Sequence, residues 1–108
     1  MSRYAIIESN TDMRDRRTKV TFTTSLAVAK KAKEKSGALA YADAVSSQNF
    51  HRRVVDVYEL PVGWRKPSLM KLQEEAFNKR RSRGAAYYIG AQDVLASMIF
   101  STGRYLEV

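Results

Sequence analysis

Apolar side chains near the start of the chain alternate in a way that leaves neither face of an extended segment polar. Arg3 to Glu8 reads as a strand with Tyr4 and Ile6 on one face and Ala5 and Ile7 on the other, so both faces are candidates for burial. Ser9-Asn10-Thr11-Asp12 is turn chemistry. Lys19 to Thr23 reads as a second strand, with Val20 and Phe22 on one face and β-branched threonines between them. The two strands are expected to pair as a hairpin across a long polar loop that carries Arg14, Arg16 and Arg17.

The period then changes to that of a helix, Leu26 to Lys35. Thr24 or Ser25 supplies the N-cap. Leu26, Ala29 and Lys33 form one stripe, Val28, Ala32 and Ser36 its neighbour, and Lys30, Lys31 and Lys35 fall on or near the outer face. Gly37 suits a left-handed cap. Ala38 to Val45 is readable two ways. Leu39, Tyr41 and Val45 among alanines suit a strand, while the alanine content itself suits a helix. A strand is preferred, because Ser46 to Asn49 then makes a hairpin loop before Arg52 to Leu60. That next segment, RRVVDVYEL, is the clearest β pattern in the chain, with Val55 and Val57 on one face and Val54, Asp56, Tyr58 and Leu60 on the other. Pro61 ends it.

Val62 to Lys66 is a connection containing Trp64 and Arg65, and a helix is expected from Ser68 to Arg83. Leu69, Leu72 and Ala76 share a face that Met70 and Phe77 flank, which together read as a buried stripe. Ala85 to Ile89 suits a short strand and Gln92 to Ser101 a third helix, in which Val94, Leu95, Met98 and Ile99 keep helical spacing. Arg104 to Val108 reads as a terminal strand. This mixture of hairpin strands and helices predicts a single α+β domain: a mainly antiparallel sheet with two or three helices packed on one face.

Composition narrows the function classes. The 108 residues contain no Cys, one His, and 19 Lys+Arg against 11 Asp+Glu, a formal net charge of +8. Absence of Cys removes thiolate metal sites, disulfides and Cys nucleophiles and fits a reducing, cytoplasmic compartment. No apolar run approaches the ~20 residues of a membrane span, so no membrane is expected as a partner. The lone His51 stands beside Arg52 and Arg53, and Asp12 and Asp15 lie in a turn among arginines. Neither makes a persuasive acid–base pair or metal site, so no enzyme and no cofactor is expected. Tyr88-Ile89-Gly90, preceded by Tyr87, matches the second half of the signature of the GIY-YIG nucleases. The Gly-Ile-Tyr half is absent upstream, and only 18 residues follow Gly90, too few for that family's arginine helix and metal-binding glutamate. Tyr87 and Tyr88 are read as sheet residues.

The remaining chemistry is cationic. Lys79, Arg80, Arg81 and Arg83 put four cations into five positions at a helix end. Lys79 and Arg83 share a face and the others splay around it. Arginine's planar fork suits phosphate or carboxylate. Arg14, Arg16, Arg17 and Lys19 form a second cluster, Lys30, Lys31, Lys33 and Lys35 a third, and Arg52-Arg53 and Arg65-Lys66 add pairs. Trp64 beside Arg65 suits base stacking, a protein contact, or a place at the core rim. A helix-turn-helix formed by the last two helices has little to read bases with beyond Gln92 and Ser97. The expected partner is DNA or RNA, held by its phosphate backbone. The alternative is an accessory effector of viral or mobile-element type, an inhibitor that docks on and modulates an acidic surface of a larger host complex.

Overall fold

The computed structural model describes residues 2–10, 18–34, 53–83 and 89–108. Strands β1 (Arg3–Asn10), β2 (Thr18–Thr23) and β3 (Arg53–Leu60) and the short β4 (Arg104–Leu106) form one sheet in the order β2-β1-β3-β4. Every neighbouring pair is antiparallel. Helix α1 covers 26–34, α2 Leu69–Arg83 and α3 Ala91–Thr102. The α+β class and the antiparallel sheet are those expected from the pattern. Ala38 to Val45, Gly37 and Gly84 lie outside the described residues, as do 85–88. Ile89, the last residue of the short strand expected there, belongs to no element. The described neighbours of β3 are β1 and β4.

β1 lies between β2 and β3 and is buried on both faces, which explains its nearly continuous apolar run. Ala5 and Ile7, with Val20 and Leu60, pack against Leu72 and Ala76 of α2 and Val94, Leu95, Ala96 and Ile99 of α3. Ile6, with Val55 and Val57, packs against Ala29 of α1, and Tyr4, Ala32 and Leu106 close around them. Strand parity therefore sorts the helices: two share one face, as expected, and α1 lies on the opposite face. Each fully buried Ile or Leu contributes roughly 1.5–3 kcal/mol of transfer free energy.

Short-range chemistry sets the ends. Ser25 caps α1 through its Oγ, which accepts from the Val28 N–H at 3.3 Å, and Ser68 does the same for Lys71 at 3.2 Å. Pro61 to Trp64 is a tight turn closed by Trp64 N–H to Pro61 O at 3.1 Å. Gly63 takes the left-handed φ of +82° that this turn demands. Trp64 is then half-buried against the core. Its ring centroid lies 5.7 Å from that of Phe22, and Arg3 donates to its carbonyl.

α3 is fastened at both ends. Asp93 Oδ2 accepts from the Gly90 N–H at 2.8 Å, while Oδ1 accepts from Thr18 Oγ1 at 2.6 Å. Gln92 Oε1 accepts from the outward-facing Val20 N–H of β2 at 3.0 Å. A ladder group that would otherwise stay open is thereby closed. The one outward polar group at the start of this helix is thus engaged on the sheet rather than offered to a base. At the other end Gly103 N–H donates to Ile99 O at 2.7 Å. A Cβ at Gly103 would stand 2.9 Å from that oxygen and 3.3 Å from Tyr58 Cβ.

One packing expectation is overturned. On α2 only Leu72 and Ala76 reach the core; Leu69, Met70 and Phe77 are 60%, 78% and 57% exposed. The five span more than 100° of the helix, and the layer of α3 and the sheet covers only the arc centred on Leu72 and Ala76.

Candidate nucleic-acid interface

The cations of α2 follow from that arc. Lys79 and Arg80 continue the buried side of the helix by one turn and are half-buried, each with a partner of its own. Their aliphatic stems can cover apolar surface while the charged heads reach outward. Arg81, one turn beyond Phe77, is exposed. Arg83 is the last residue of α2.

α2 leaves the Leu60 end of the sheet, and α3 begins at the Thr18 end, where Asp93 holds Thr18. The 15 residues of α2 make a helix about 22 Å long. Arg53 opens β3 opposite Asn10. Arg14, Arg16, Arg17 and Arg52 lie outside the described residues.

Lys30 and Lys31 are exposed on α1. Because α1 and α2 pack on opposite faces of the sheet, the structure does not bring these lysines together with the arginines of α2. Arg65 and Lys66 are exposed beyond the Pro61 turn, with Lys66 Nζ 5.9 Å from the Phe22 ring centroid. Trp64 takes the core-rim place among its three readings.

A second cationic place joins elements that the sequence pattern kept apart. The Tyr58 ring lies 5.3 Å from Phe100 of α3, tilted, and 5.5 Å from Tyr105 of β4, edge to face. Register explains the second contact, since Tyr58 and Tyr105 are direct cross-strand partners. The close seat of Gly103 explains the first, because it brings the end of α3 down onto β3. Lys33 reaches from α1, its Nζ 5.5 Å from the Tyr105 ring centroid and 3.4 Å from the hydroxyl. Arg104 is paired to Glu59 at 2.8 Å. Burial pushes the Tyr58 phenol above its ordinary value, helped by the Asp56 carboxylate and by Tyr105. Phe100 and Tyr105 remain 48% and 45% exposed. Neither was among the residues expected from sequence. Phe100 carried a signal, since it falls just outside the Val94, Leu95, Met98 and Ile99 stripe.

Other chemistry is sparse. Among the described residues no group of three or more His, Asp or Glu could hold a metal ion, and no helix is long and apolar enough to cross a membrane. A cleft of 330 Å³ beside the Pro61 turn offers Arg3 and Glu59, but Glu59 is already held by Arg104. By their geometry the described residues form a four-stranded antiparallel sheet with cationic helices on both faces. Comparison with protein-family models, with curated proteins and with solved structures finds no match.

Proposed function

We propose that the chain is a binding module without catalytic chemistry of its own, and that its ligand is the phosphate backbone of DNA or RNA. The observation that carries this reading is uncompensated exposure. Lys30 and Lys31 on α1 and Arg81 on α2 face solvent and pair with no described acidic residue, in a chain of net charge +8. Cations held this way attract a polyanion and release its counterions on contact.

The test is fluorescence anisotropy with labelled duplex and single-stranded oligonucleotides across a salt series. Affinity is expected to fall steeply, by orders of magnitude for a site with several phosphate contacts, between roughly 50 and 200 mM salt. Lys30→Glu, Lys31→Glu and Arg81→Glu each weaken binding and reduce the salt slope by about one per lost phosphate contact. Arg80 is left unchanged, because its half-buried stem would confound binding with folding. Absence of binding at the low-salt end, or affinity indifferent to salt, overturns the reading.

A second reading is favoured by one observation, the exposed Leu69, Met70 and Phe77 next to Arg81 on α2. A surface part apolar and part cationic suits an acidic protein partner, as an accessory effector would require. It predicts a stoichiometric protein that stays bound after nuclease treatment and is lost with Phe77→Glu.

A further inference from the structure

We propose that Phe100 and Tyr105, held by Tyr58 at the β4 edge, form a stacking platform for unpaired bases, so that the nucleic acid this chain takes is single-stranded. The inference deepens the phosphate-binding reading and rests on it. Both residues are about half exposed, 48% and 45%, while their ring centroids stay 5.3 and 5.5 Å from that of Tyr58. Each is therefore already ordered by another ring. A base that stacks on it costs little side-chain entropy, the condition under which aromatic contacts contribute most to affinity.

Charge at the corner has the matching sign. Lys33 Nζ stands 5.5 Å from the Tyr105 ring centroid. Lys30 lies one helical turn before it and is exposed. Of the carboxylates on β3, Glu59 is tied to Arg104 at 2.8 Å, while Asp56 acts on the Tyr58 phenol beneath the platform. A strand laid across this edge would set its bases on the rings and its phosphates toward Lys33 and Lys30. In a duplex the base faces are occupied by their neighbours in the stack; in a single strand they are free, and every base has one to offer. The corner thus selects for unpaired bases with little regard to their sequence.

The experiment compares three probes on the full chain by anisotropy: a base-bearing strand of about 12 nucleotides, an abasic strand of the same length, and the corresponding duplex. The base-bearing strand is expected to bind about tenfold or more tighter than the abasic one. Tyr105→Ala and Phe100→Ala should each erase most of that ratio. Tyr105→Leu and Phe100→Leu keep apolar area but lose the π face; they preserve packing if the alanine variants melt early, and should lose the ratio equally. Tyr105→Phe should retain it. Equal affinity for base-bearing and abasic strands, or full retention by the leucine variants, overturns the platform and leaves the phosphate reading standing. A duplex bound as tightly as the single strand does the same. If none of the probes binds, the phosphate reading falls and the platform with it. A dimer in light scattering that Tyr105→Ala disperses would show a second copy seated on the corner, and would also overturn the proposal.

Discussion

Asp93 ties the start of α3 to the sheet, and its removal tests whether that tie sets the stability of the domain. Two bonds are lost in Asp93→Ala: the one from the Gly90 N–H at 2.8 Å and the one from Thr18 Oγ1 at 2.6 Å. A helix cap of this kind contributes about 1 kcal/mol. The short bond from the threonine to a charged acceptor contributes about 1.5 kcal/mol, taken at the low end because the pair is only part-buried. A carboxylate in the first helical turn adds a few tenths through the helix dipole. Asp93→Ala should therefore destabilise the fold by about 2–3 kcal/mol, measured by urea unfolding as a lower midpoint with an unchanged slope. Asp93→Asn, which keeps one acceptor, should cost about half as much. The Thr18→Val/Asp93→Ala double-mutant cycle isolates the cross-element bond and should show a coupling of about 1 kcal/mol. A loss below about 0.5 kcal/mol in Asp93→Ala would refute the account. Zero coupling in the cycle would show that the Thr18–Asp93 bond does not help to hold α3 on the sheet.

Two further outcomes follow from the other end of the helix. Gly103→Ala places a Cβ 2.9 Å from Ile99 O and 3.3 Å from Tyr58 Cβ. It should cost about 1–3 kcal/mol in thermal or urea unfolding, and a neutral result would mean that α3 and β3 do not approach as described. Tyr58, its phenol raised by burial, by Asp56 and by Tyr105, keeps its proton more tightly folded than unfolded. Its contribution is fully present below the ordinary tyrosine value of about 10 and is lost as pH rises through the higher folded value. Tyr58→Phe should remove a phenolate step above the ordinary tyrosine range from the absorbance titration; an unchanged titration curve would refute the assignment.

Most elements were legible because local signals agreed with the tertiary result. RRVVDVYEL has the alternation of a strand covered on both sides, and serines stand where α1 and α2 begin. Tyr4 and Ile6 opposite Ala5 and Ile7 already announced a strand with two buried faces. What a pattern cannot supply is which layer covers which arc. Leu69, Met70 and Phe77 keep helical spacing as well as Leu72 and Ala76 do, yet only the latter two meet α3 and the sheet. Asp93 had no visible companion in sequence because its partner, Thr18, is 75 residues away.

The site was less legible for a related reason. A run such as Lys79 to Arg83 reports charge along one dimension, whereas binding needs charge and shape in the same place. The face on which a helix lies is decided by strand parity: α1 covers Ile6, and α2 and α3 cover Ala5 and Ile7. That one-residue difference in β1 separates the lysines of α1 from the arginines of α2. Among the described residues it leaves the β4 edge as the place where a side chain from one face can meet rings from the other. Lys33 does so, by reaching Tyr105. If the edge is the working surface, Lys33→Ala should weaken single-strand binding more than Lys71→Ala, a change of the same charge on the exposed surface of α2. Equal losses at the two positions would mean that the charge acts only in bulk and that the geometry of the edge is incidental.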